Sequence, residues 1–252
     1  MWDSHSTKAY SNLGVINEPR TCTYWRKIPD NSGAYGLIAS SPLASAVCNA
    51  GGLGVIETSF GETENCIREI KNMKELTDAP FGINLPLLFL RDESMIKFVA
   101  ECGVKFVTTS AGNPAKLIEI LKAHDIIVYH AVPTVKAALK AVEAVEAGVD
   151  GLIVEGSEEG GFKNPEEVST LVLLQAIRDK VDVPMVAAGG IVDGRGMAAV
   201  FAVGAEAVQM GTRFVSAKES PVHVNYKNAI IDAEDTGTYV LNKKNERLAF
   251  VL

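Results

Sequence analysis

Short apolar runs ending in glycine, serine or threonine alternate along this chain with longer stretches in which apolar residues recur every three or four positions. The short runs are Leu53–Thr58, Phe81–Leu85, Lys105–Thr109, Ile126–Val132, Gly151–Glu155, the run PMVAAGG and the run AVQMG. Each has the length and composition of a strand buried on both faces. The stretches between them carry helix signals. Ser41 is the expected N-cap of a first helix with Pro42 at its first position and Leu43, Ala46 and Val47 on one face. Thr63 opens a helix to Leu76 with Ile67, Ile70 and Met73 at helical spacing, and Glu93–Cys102 forms another, stopped by Gly103. Asn113 and Pro114 start a helix over Ala115–Ala123, and Thr134 starts one that runs to Gly148. Strands alternating with helices predict a parallel sheet with helical crossovers, and about seven legible strands point to a (β/α)₈ barrel with one poorly written stave. The missing first strand is expected over Thr23–Ile28, where Pro29 and Asp30 end it abruptly. Three segments follow: an atypical N-terminal stretch over 1–35, a barrel over 36–218, and a C-terminal part over 219–252. In that last part Ser220 and Pro221 cap a helix to about Ala233, followed by the extended-looking TGTYVL.

With 252 residues, 47% hydrophobic and 22% charged, the chain can bury a full core as one domain. A net charge of −7 argues against general nucleic-acid or membrane-surface binding, which needs a basic face. The four cysteines, Cys22, Cys48, Cys66 and Cys102, lack CxxC spacing, so neither a zinc site nor a disulfide framework is expected. No run of signal-peptide or membrane-span length occurs, and a cytoplasmic location is the expectation.

Candidate chemistry gathers at the glycines that end the last strands. Gly189, Gly190 and Gly211 lack a Cβ, so a ligand can approach the main chain there, and the helices that follow are expected to favour an anion. In a (β/α)₈ barrel the loops after strands seven and eight are the usual phosphate site. Ser110 and Asn113 line the loop after strand four, where ligand binding and plain helix capping are both open readings. Glu158 and Glu159 read as solvated loop charges, and Lys136 as a solvated first-turn lysine.

The stretches ASSPLASAVCNAGGLGVIET, FGINLPL, TTSAGNPAK, VEGSEEGG, VAAGGIVDGRG, VQMGTRFV and AKESPVHVNYK together resemble the nitronate monooxygenase (2-nitropropane dioxygenase) family of FMN-dependent TIM barrels. That family includes the type II enoyl-ACP reductases, and TTSAGNP with TRFVSAKES is most similar to that branch. The resemblance implies an FMN site built from Asn84, Glu155, Gly160, Gly189, Gly190, Gln209, Met210, Gly211 and Thr212, with the phosphate held by the AAGG and QMGT loops. It implies a small-molecule substrate and, for the reductase branch, NAD(P)H as reductant. A homodimer is an assembly open to the chain, and no metal is expected. Where the family motif has a catalytic histidine this chain has Phe162, and Tyr35 stands where methionine is common. Phenylalanine cannot transfer a proton, which weakens activity on neutral nitroalkanes but leaves oxidation of preformed nitronates open. His130, at the end of the fifth strand, is the candidate substitute acid or flavin partner, against a packed strand-end histidine. The expected function is oxidation of alkyl nitronates with dioxygen. The alternatives are NAD(P)H-dependent reduction of an activated enone and a flavin-binding barrel with reduced or no activity.

Overall fold

Five successive strand segments, from Leu53–Glu57 to Gly151–Glu155, are buried almost without a break, as expected for parallel strands covered on both sides. In the computed structural model, which describes residues 21–23, 38–58, 63–90, 94–143, 148–160, 168–238, 240–241 and 250–251, they belong to a closed parallel barrel. Its strands are β1 (Thr21–Thr23), β2 (Leu53–Glu57), β3 (Gly82–Pro86), β4 (Phe106–Ser110), β5 (Ile127–Val132), β6 (Gly151–Glu155), β7 (Met185–Ala188) and β8 (Ala207–Met210). The crossovers carry α1 (Ser41–Asn49), α2 (Thr63–Leu76), α3 (Ser94–Glu101), α4 (Ala115–Lys122), α5 (Val135–Glu143), α6 (Thr170–Arg178) and α7 (Gly194–Ala202). A four-residue α8 (Thr212–Val215) follows β8, and then α9 (Val224–Ile231) and a β9–β10 ribbon (Val240–Leu241 with Phe250–Val251).

The eighth stave is β1, which pairs in parallel with both β2 and β8 and so closes the sheet. It lies at Thr21–Thr23 rather than at the expected Thr23–Ile28, of which only Thr23 falls within the described residues. Side-chain parity then separates two cores. Ile56, Ile83, Val107, Val128, Leu152 and Val208 pack outward against helix residues such as Ile70, Val99, Ile118 and Leu173. Leu53, Val55, Phe106, Tyr129, Ile153 and Val186 fill the inside of the barrel. Two glycines make that filling possible. A Cβ on Gly82 would lie 2.9 Å from the Phe106 ring, and one on Gly151 would lie 2.5 Å from the Tyr129 ring. The two rings pack at 5.3 Å with a 49° tilt.

Polar contacts position the helices on this barrel. The N-cap of α1 is Ser40 rather than Ser41, and the side chain that serves its first turn comes from α2: Glu69 Oε2 accepts from both the N–H and the hydroxyl of Ser41, each at 2.8 Å. A Cβ on Gly54 would sit 2.1 Å from the Ala44 carbonyl oxygen, so α1 rests directly on the β2 backbone. Asp150 accepts from the Val128 N–H at 2.7 Å and also pairs with Lys122, joining β5 to the start of β6 and the end of α4. Helix α9 starts at Val224, capped by His223 Nδ1, rather than at Ser220–Pro221, and ends at Ile231 rather than near Ala233. Its Tyr226 and Ile230 pack with Val222 onto Leu43 and Val215.

Candidate functional site

Toward the carboxyl ends of the strands the inside of the barrel changes from apolar to polar. Continuing the parity of Leu53 and Val55 puts Glu57 on the inner face, and the same alternation brings in Asn84, Thr108, Ser110, Glu155 and Gln209. All six are buried. Asn84 is tied down twice. Its side-chain oxygen accepts from the Thr108 hydroxyl at 2.9 Å, and its carbonyl accepts from the Thr58 hydroxyl at 2.6 Å. Among the described residues, Asn84 Nδ2 and Gln209 Oε1 have no hydrogen-bond partner. Swapping the ends of the Asn84 amide does not help, because the threonine hydroxyl engages one end and leaves the other bare. A buried polar atom without a partner costs about 1–3 kcal/mol, so these two groups are built to meet something that enters the mouth.

Three loops close the opposite sector. Gly156 cannot carry a side chain, since its Cβ would lie 2.1 Å from Thr170 Oγ1. From Gly156 the chain reaches Gly160, whose Cβ direction points to Thr212 Oγ1 at 3.9 Å. Gly189 and Gly190 adopt φ of +105° and +73°, and their Cβ positions would meet Glu159 N at 2.9 Å and Glu158 Cβ at 3.1 Å. The β6–α6, β7–α7 and β8–α8 loops therefore touch one another, and Gly160, Gly189, Gly190, Gly211 and Thr212 come together as a single rim.

Two of the three helix N-termini on this rim, those of α6 and α7, are already covered by side chains of this chain. Glu158 is exposed as expected of a loop charge, but its Oε2 also accepts from the Thr170 N–H at 2.9 Å and the Thr170 hydroxyl at 3.0 Å, covering the start of α6. Asp193 caps α7, accepting from Arg195 N at 2.9 Å and Gly196 N at 3.2 Å. The Arg195 side chain folds onto the same carboxylate and, with Gly196, holds Asp193 below its ordinary pKa. Among these loops only Gly211–Thr212 lacks a side-chain cap.

The remaining sequence candidates fall elsewhere. Met210 points outward into the helix-facing core, so only its backbone borders the rim. His130 shares the parity of Val128 and Val132 and faces the helices, with Nδ1 2.8 Å from Thr109 Oγ1. Burial pushes its pKa down to about 4, with a backbone hydrogen bond at Thr109 offsetting part of that, so the imidazole is neutral near pH 7. It is the packed strand-end histidine, away from the mouth. Asn113 caps α4 through Ala115 N at 3.0 Å, and Lys136 is exposed. Phe162 and Tyr35 lie outside the described residues. Glu57 and Thr108 are mouth residues that the sequence reading passed over. Their signal was a polar residue at the end of an apolar run, at the same strand level as Asn84.

The arrangement suits a flat ring that presents both an acceptor and an N–H to the Asn84–Gln209 pair, with an anionic tail on the glycine rim. The chain is 37% identical over 196 residues to the (3aS,4S,5R,7aS)-5-hydroxy-7a-methyl-1-oxo-octahydro-1H-indene-4-carboxyl-CoA dehydrogenase of Rhodococcus jostii (strain RHA1), covering 77% of this chain and 53% of that protein. It is 31% identical over 245 residues to a probable nitronate monooxygenase of Staphylococcus saprophyticus, covering 79% of this chain and 68% of that one. The chain thus spans about half the length of the first relative and two thirds of the second. The solved structure of FabK from Thermotoga maritima superimposes with a TM-score of 0.82 at 39% identity, over 94% of this chain and 71% of FabK. The nitronate monooxygenase family model matches residues 27–94 and 88–249, and with this barrel and these relatives the chain belongs to the nitronate monooxygenase family.

Proposed function

We propose that the chain is an FMN-dependent oxidoreductase that oxidises alkyl nitronates with dioxygen. The observation that carries this reading is the pair of buried, unpaired amide atoms, Asn84 Nδ2 and Gln209 Oε1, facing the same mouth as the glycine rim. The residues fit the group: the donor and the acceptor match the edge of an isoalloxazine, and Gly190, Gly211 and Thr212 offer backbone N–H groups to a phosphate. When bound, FMN supplies a two-electron redox centre for a substrate carbon. The chain's own residues orient the ring through Asn84, which Thr108 and Thr58 immobilise, and the aromatic floor of Phe106 and Tyr129 excludes water from below. The cytoplasmic location belongs to the same proposal; no helix among the described residues is long and apolar enough to cross a membrane. The test is a yellow purified protein whose released chromophore is FMN and which takes up oxygen with preformed nitronates. A colourless protein that takes up no added FMN overturns the reading.

A second reading, redox chemistry at the carbons next to a thioester carbonyl with NAD(P)H as reductant, is favoured by the 37% identity to the octahydroindene-carboxyl-CoA dehydrogenase and the 39% identity to FabK. Anaerobic bleaching of the bound flavin separates the two: NAD(P)H bleaches it under the second reading, and a nitronate alone bleaches it under the first.

A further inference from the structure

We propose that Glu57 is the base that takes the α-proton from a neutral carbon acid, a nitroalkane or an acyl thioester, bound at the barrel mouth; this deepens the reading above and rests on it. Glu57 ends β2 with its side chain on the inner face, and only 2% of it is exposed. Its partner across the β2–β3 ladder is Asn84, the residue whose side-chain N–H₂ lacks a protein partner. Adjacent strands lie roughly 4.8 Å apart, so whatever Asn84 holds presents its neighbouring surface to Glu57. The backbone here is fixed from both sides: Glu57 N donates to Ala39 O at 3.3 Å, and the next residue, Thr58, bonds the Asn84 carbonyl.

Burying a carboxylate at a strand end is costly, and such groups concentrate where chemistry uses them. Phe162, at the position where the resemblance places the family's histidine, cannot accept a proton. Among the described mouth residues the candidates are Glu57 and Glu155, and Glu155 stands at the other sector, paired with Ala188 beside the glycine rim. The titratable groups that α2 brings toward Glu57 do not compete. The Cys66 thiol is pushed up to about 11, by burial first and by the Glu57 charge second, and the Glu69 carboxylate is engaged by Ser41. In the step proposed, the α C–H bond breaks and its electron pair stays on the substrate, delocalised onto the nitro or carbonyl oxygen. The proton passes to a Glu57 carboxylate oxygen, and nothing is oxidised.

The experiment follows α-hydrogen exchange of nitroethane and of propanoyl-CoA by NMR in deuterated buffer, without oxygen or NAD(P)H, against a protein-free blank. Flavin content and urea midpoint are measured on each preparation. A positioned base typically contributes about 10²- to 10⁴-fold. Wild type is expected to catalyse exchange of one or both probes, and Glu57→Gln to slow it at least about 10²-fold with FMN content unchanged. If Glu57→Gln does not fold, Glu57→Asp decides, since the shortened base must slow exchange in a folded, flavin-loaded protein. The proposal is overturned by exchange that is unaltered in the variants, by a wild type no faster than the blank on both probes, or by variants that lose FMN and recover full exchange when it is restored in excess. Exchange that depends on Glu57 in a protein that binds no FMN keeps the base and rejects the cofactor reading.

Discussion

Protonation of His130 should destabilise this barrel in acid. The folded protein holds the imidazole neutral, its pKa lowered from 6.5 to about 4, because it lies 6% exposed between β5 and the helices. In the unfolded chain it takes up a proton near pH 6.5. Between those values the unfolded state binds more protons, so stability is fully present above about pH 6.5 and is lost as pH falls through 4. The shift corresponds to about 3 kcal/mol in total, of which about 2 kcal/mol is gone by pH 5. That is a large share of the 5–15 kcal/mol typical of a folded domain. Urea unfolding of wild type and His130→Asn at pH 7, 6 and 5 isolates the effect, since asparagine keeps a polar atom near Nδ1 for Thr109 but does not titrate. The variant starts less stable at pH 7 because it is smaller, and the gap should close or reverse by pH 5. A gap that stays constant to within about 0.5 kcal/mol across this range would mean that His130 is solvated or already protonated in the native protein.

Gly190→Asp, at φ +73° and against Glu158, should abolish FMN retention in a protein that still shows native circular dichroism; unchanged flavin stoichiometry would remove the rim from the phosphate role. Thr108→Val frees the Asn84 amide and should weaken FMN binding by roughly tenfold, with Thr108→Ser near wild type, in a fluorescence titration. Gly54→Ala drives a methyl group into the Ala44 carbonyl and should cost roughly 3 kcal/mol in urea unfolding, whereas an unchanged midpoint would show that α1 can lift off β2. Asp150→Ala strips the partner from the Val128 N–H and should cost about 1–3 kcal/mol, and a Lys122→Ala variant that costs as much would shift the credit to the ion pair.

The strands and helices were legible because burial on both faces writes a strand as an apolar run and amphipathic helices write a period of about 3.6. The first strand was not, since Thr21–Thr23 enters the sheet through backbone pairing with two neighbours and needs no apolar pattern. Parity was hidden for the same reason that the strands were visible. In a run such as IVYHAV both faces are apolar, so nothing in the letters tells whether His130 faces the barrel or the helices. The glycine rim could be read from its punctuation. Glu158 could not, because it covers a helix start twelve residues further along the chain and looks in sequence like any exposed loop acid. Glu57 was missed because a single glutamate after an apolar run resembles the ordinary polar end of a strand.

The exchange of bulk inside the barrel has a consequence for how this scaffold varies. Gly82 and Gly151 give up their side chains to Phe106 and Tyr129, and the two rings make the floor of the mouth. The depth of the pocket is therefore decided by arithmetic among buried neighbours, independently of the loops that ring its entrance. A methyl group added at Gly151 meets both the Tyr129 ring at 2.5 Å and the Pro184 carbonyl oxygen at 2.8 Å and so displaces the floor together with the chain entering β7, whereas a smaller residue at 129 lowers the floor alone. Such a barrel can admit longer or shorter substrates by trading volume between two adjacent strands.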